Sequence, residues 1–210
     1  DKLVSHEIND EIINDYRNFV SLILYRYNKK FYLSKNNNNI LRLESLIKSF
    51  PNCLILIPFR NPIQQANSLL NQQRKFTALQ NQDKFVKKYM SYLAHHEFGV
   101  IQRPYEFTEK NNKKFENNSL EYWLLQWVNT YDYLSQDKFS QKKNIIYVNY
   151  EYLCENPKKF ILNILTKANL NNLSNKNDFK LNLSFKAIDI KKSDLLVEAN
   201  KIFEKLIKLV

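Results

Sequence analysis

Apolar side chains recur along this chain in two rhythms, one spaced for helices and one unbroken over short runs. Ile8, Ile12, Ile13, Tyr16, Phe19, Val20, Ile23, Leu24 and Tyr27 put one broad apolar face on a helix across residues 7–28. The short run Phe31-Tyr32-Leu33-Ser34-Lys35 predicts a strand ending on Lys35. The asparagines 36–39 offer a cap for a second helix carrying Ile40, Leu43, Leu46 and Ile47. Residues 53–59 are apolar at every position, which predicts a strand covered on both faces, as in a parallel sheet. Asn61 can cap the next helix, with Pro62 at its first position. Residues 82–97 read as helix, 99–118 as a long polar loop, and 120–134 as a helix that Asn118, Ser119 and Glu121 can cap. The run 144–150 predicts a third strand, Asn156-Pro157 opens another helix, and 193–208 forms the last. Helix and strand alternate, so the pattern predicts an α/β protein with a parallel sheet, one domain over 1–210.

In open parallel sheets, ligands bind beyond the carboxyl ends of the strands. Three predicted strands end there in polar groups: Lys35, Arg60 and Tyr150-Glu151. A guanidinium at such an end can grip a phosphate with two hydrogen bonds. The helix from Pro62 aligns Gln64, Gln65 and Ser68 on one face, and its free N–H groups favour an anion.

Composition adds three constraints. With 44% hydrophobic and 14% aromatic residues in 210, the chain can bury a real core. The net charge of +11 suits phosphate-bearing ligands, nucleic acid or acidic polymers, although the abundance of Lys, Asn and Ile throughout also accounts for it. Two cysteines, Cys53 and Cys154, both read as small buried apolar residues, which makes a reducing compartment, the cytoplasm, the expectation. No apolar run reaches the length of a membrane span or has the layout of a signal peptide.

His95-His96-Glu97 invites a metal or an acid–base reading. Adjacent residues on a helix point about 100° apart, which disfavours both rings on one ion. A role near an acceptor, as general base or contact, stands beside a plain helix end. His6 is read as surface, Glu151 as a base or an ion-pair partner, and Trp123 and Trp127 as core packing. The loop 102–118 is an acceptor lid or a solvated loop.

The stretch from Phe31 to Leu70 resembles the core of the sulfotransferases that use 3′-phosphoadenosine 5′-phosphosulfate (PAPS). The resemblance rests on Lys35 at a strand end, Phe50-Pro51 closing a helix, Arg60-Asn61-Pro62 after an apolar strand, and Ser68 eight residues beyond Arg60. The run 145–161 is similar to a later segment of that family, and "YLAHHEFG", Trp123 and Trp127 look like its bacterial members. The resemblance implies a three-layer fold like that of the P-loop nucleotide hydrolases. It implies that Arg60 and Ser68 hold the 3′-phosphate, that Tyr150 contacts adenine, and that Lys35 lies near the sulfuryl group. His95 and His96 become candidates for catalysis on the acceptor side. The co-substrate is PAPS and the product is 3′-phosphoadenosine 5′-phosphate. No metal or specific nucleic acid is implied, and the acceptor is a small molecule, a lipid or a carbohydrate. The family's opening strand and Lys-x-Gly-Thr-Thr loop have no counterpart here, since Gly99 is the only glycine, and Asn61 replaces the usual Asp. The expectation is a fragment, starting at Asp1 beyond that loop and inactive alone. The alternatives are a nucleotide kinase, which needs a Walker-type loop, or a non-catalytic polyanion-binding module.

Overall fold

The computed structural model describes residues 2–107, 115–170 and 181–210. It is an α/β structure, mostly helical, with a two-stranded parallel sheet. The chain groups into two compact units, Leu3–Cys53 and Leu54–Val210 together with Asp1–Lys2.

The first unit is built on α1 (Asp10–Arg26) and α2 (Leu43–Ser49), the latter preceded by a 3₁₀ turn over Asn37–Arg42. Asn9 caps α1, and Asn36 caps the 3₁₀ turn through the N–H of Asn38. Arg17 donates to the carbonyls of Lys48 and Ser49, closing the end of α2. Only Ile13 and Val20 of the apolar face of α1 are buried; Ile12 and Phe19 of that face remain exposed. Residues 31–35, predicted as a strand, form none. A strand needs a hydrogen-bonding neighbour, and Phe31 and Leu33 stand in solvent instead.

In the second unit β1 (Ile55–Phe59) and β2 (Ile145–Asn149) pair in parallel, Ile55 with Ile145 through Phe59 with Asn149. All five residues of β2 are buried. Ile146 and Val148 face Phe160 of α8 (Pro157–Lys167), while Tyr147 donates to the Leu134 carbonyl. β1 departs from expectation. Ile57 and Phe59 are buried, but Leu56 is 44% exposed and Pro58 is exposed too, so only one face is covered. Pro58 lacks an N–H, which suits an edge strand.

The packed side is α5 (Leu120–Leu134), capped by Ser119, with ten buried residues including Trp123 and Trp127. It packs against α3 (Pro62–Gln82) and α9 (Asp194–Ile207), and Phe59 meets Tyr131 and Phe203 edge-on. The remaining helices among the described residues are α4 (Lys84–Tyr92), α6 (Asp137–Ser140) and α7 (Tyr150–Glu155). Among the described residues no helix is long and apolar enough to cross a membrane.

Candidate functional site

The parallel register brings the carboxyl ends of β1 and β2 side by side, so Arg60 and Tyr150 follow paired residues. The Arg60 guanidinium lies over the Tyr150 ring, 5.3 Å from its centroid, a cation–π contact. Its Nε is buried with no partner. Tyr150 is not a strand residue: Asn149 caps α7 there, accepting from the Tyr152 N–H. A hydrogen bond with Cys154 raises the Tyr150 phenol above its ordinary value, burial adds to this, and the Arg60 charge opposes it.

Glu151 accepts the Asn61 N–H at 2.9 Å, while its other carboxylate oxygen is buried and unpartnered. This corrects the expectation of free N–H groups at the start of α3. Asn61 donates to Glu151, Pro62 has none, and those of Ile63 and Gln64 both go to the Asn61 side chain. Any anion here is therefore held by side chains and by the residual helix dipole, not by backbone donors.

The predicted polar face of α3 divides. Gln64 exchanges two hydrogen bonds with the backbone of Lys186, at 2.8 and 3.1 Å. Gln65 turns inward, accepting from Trp127 Nε1 and donating to the Tyr131 hydroxyl, which itself donates to the Pro58 carbonyl under β1. Ser68, one turn beyond Gln64, is exposed. Lys35, in the first unit, is also exposed and donates to Asn37 Oδ1 at 2.9 Å. Cys154 is buried as expected, whereas Cys53 is only partly so; neither is in a disulfide.

His95 and His96 lie beyond α4, not on it. The helix stops at Tyr92 because Ala94 takes a left-handed φ of 55°, with Ala94 N–H bonded to Ser91 and His95 N–H to Met90, a Schellman stop. The loop that follows is clamped by buried glutamines. Gln73 accepts the Gly99 N–H and donates to its carbonyl. Gln80 accepts from Val100, and Gln126 accepts from Tyr105. Phe98 stacks between Phe76 and Trp123. Gly99 is needed here: its φ is +91°, and a Cβ would overlap the Gln80 amide.

This clamp buries the acidic end of the His95-His96-Glu97 run, to which the sequence pattern assigned no role of its own. Glu97 is 7% exposed, with one oxygen 3.4 Å from His95 Nδ1 and the other without a partner. His96 Nδ1 is also buried and unpartnered. Burial, then the Glu97 charge, pushes the Tyr105 phenol well up. Residue type singles out the His-His-Glu run but does not announce that its carboxylate is buried; the apolar neighbour Phe98 was the available signal. Among the described residues no three His, Cys, Asp or Glu side chains gather as a metal site. An open groove of about 380 Å³ along α3, lined by Gln73, Arg74, Thr77 and Asn118 among others, includes none of the predicted site residues. Of the loop 102–118, residues 108–114 lie outside the described residues. Compared with protein-family models, curated proteins and solved structures, the chain matches none.

Proposed function

We propose that this chain belongs to a PAPS-dependent sulfotransferase, with a three-layer, P-loop-like arrangement around its parallel sheet and a cytoplasmic location. The observation that carries the reading is Arg60 at the end of β1, over the Tyr150 ring at the end of β2, with its Nε unpartnered. A half-buried guanidinium whose buried Nε has no partner favours a phosphate oxygen. One face of Tyr150 is occupied by Arg60, which leaves its other face and edge for adenine. Ser68 supplies an exposed hydroxyl on the same helix that Asn61 caps. Sulfuryl transfer asks a protein for positioning and charge stabilisation, as phosphoryl transfer does. For Lys35 the proposed role is to offset charge at the leaving oxygen, and it is carried by the resemblance alone.

On the acceptor side His95 is proposed as the base. Glu97 faces Nδ1, which favours a proton there and leaves Nε2 to take one from a hydroxyl or amine. The acceptor is a small molecule, a lipid or a carbohydrate.

The test is binding, because the 210 residues contain no Gly-Thr loop to cradle the phosphosulfate. Calorimetry on the full chain should find 3′-phosphoadenosine 5′-phosphate bound more tightly than AMP, which lacks the 3′-phosphate. Arg60→Ala should weaken the former by about tenfold to a hundredfold and leave AMP unchanged. Equal affinity for the two nucleotides would sink the reading. The second reading, a polyanion-binding module, is favoured by the +11 charge. It predicts steeply salt-dependent binding to heparin that Arg60→Ala does not alter.

A further inference from the structure

Helix α4 carries more apolar surface than the protein covers. Met90 is buried and accepts from Gln80, and Val86 is partly covered. Phe85, Tyr89 and Tyr92 follow at i, i+4 and i+7 and form a row along the outer side. They are 68%, 52% and 77% exposed, with Leu93 at 47% beside them. The rings of Phe85 and Tyr89 stack on each other and on nothing else described.

The flanks of this row are cationic. Lys84 and Lys88 lie one turn apart along one border, and Lys87 sits on the polar side. Lys88 lies over the Tyr92 ring at 5.7 Å. Among the described residues none of the three forms an ion pair. The nearby carboxylate, Asp83, is spent on capping the helix through the Phe85 N–H. An exposed aromatic row bordered by unneutralised lysines matches the headgroup layer of a membrane, where amphipathic rings settle and anionic lipids attract cations. A protein groove that buried this row would have to supply acidic groups for three lysines as well; an anionic bilayer offers them everywhere.

We propose that α4 docks this protein, peripherally and reversibly, on bilayers containing anionic lipid. The helix lies flat, with Phe85, Tyr89 and Tyr92 at headgroup level and the lysines against the charge. The proposal stands whether or not the nucleotide reading does, since no residue of α4 belongs to that site.

The experiment is co-sedimentation of the full chain with vesicles of phosphatidylcholine alone and with added phosphatidylserine. Binding should require phosphatidylserine and fall with salt. Lys84→Glu, Lys87→Glu and Lys88→Glu together should lower it roughly a hundredfold or more. Phe85→Ser with Tyr89→Ser keeps every charge and should still lower it at least tenfold. Both variants change exposed positions, so an unaltered melting curve should accompany each. Lys142→Glu with Lys143→Glu, an exposed pair outside α4, should have far less effect. The proposal is overturned if the chain does not sediment with anionic vesicles, or if the control pair matters as much as α4. It is also overturned if the serine variants bind as the parent does, or if they only abolish self-association of the chain.

Discussion

The strand-end site and the glutamine-clamped loop both hold ionisable side chains with one buried polar atom left unpartnered, but they are built in opposite ways. At the strand ends, Arg60 and Tyr150 come together because paired residues precede them in the sheet. Neighbours in the register suffice, and few long-range side-chain bonds are needed. In the loop, Glu97 and His96 are presented by a segment without regular structure, so its backbone is tied down from outside by Gln73, Gln80 and Gln126. One site inherits its order from secondary structure. The other depends on tertiary hydrogen bonds, and substitutions there should cost more stability than substitutions of Arg60 or Tyr150 at the strand ends.

The largest effect should come from Gln73→Ala. It strands the buried N–H and carbonyl of Gly99 together, at a cost of about 4 kcal/mol in urea unfolding. Gly99→Ala follows at about 3 kcal/mol, from the positive φ and from displacing a Gln80 amide already committed to Val100 and Met90. If either costs under 1 kcal/mol, the loop is not clamped as described. The strand end has a pH counterpart in Tyr131, which supports β1. Burial lifts its phenol from 10.0 to about 12. A raised phenol stabilises the fold fully below pH 10.0, and that stability drains away as the pH climbs to about 12, by about 2–3 kcal/mol. Tyr147 is lifted to about 12 in the same way, so Tyr131→Phe should shrink the alkaline loss of stability without abolishing it. The smallest effect should be a gain: Ala94→Gly relieves the left-handed stop of α4 and should add roughly 0.5–1 kcal/mol in the same unfolding experiment.

The same contrast explains what could be read from the sequence. β1, β2, the Asn61 cap with Pro62 and the span of α5 all follow from signals within a few residues, and they appear where expected. The run 31–35 had strand-like residues, but a strand exists only with a neighbour, and that is not a local property. The helix expected over 82–97 ends early because an alanine, not a glycine or asparagine, takes the left-handed position. In α1 the same role falls to Asn28, a residue that does announce it. The clamp was hidden altogether. Gln73 and Gln80 look like surface residues of a helix, yet each is 3% exposed and bonded to backbone at least 20 residues away. Side-chain amides carry no mark of the carbonyl they will find.

Asn61 and Glu151 are 90 residues apart in the chain, and so are the paired residues of β1 and β2. The two strands have no turn between them to nucleate on, and joining them closes a loop whose entropy costs roughly 4 kcal/mol before any ladder bond repays it. Helices α3 and α5 can form and pack first, because α-helical contacts within each are local. In refolding, then, fluorescence of the α5 tryptophans should recover before the amides of β1 and β2 gain protection from hydrogen exchange, and a nascent chain leaving the ribosome would hold Arg60 unmatched until residue 150 had emerged.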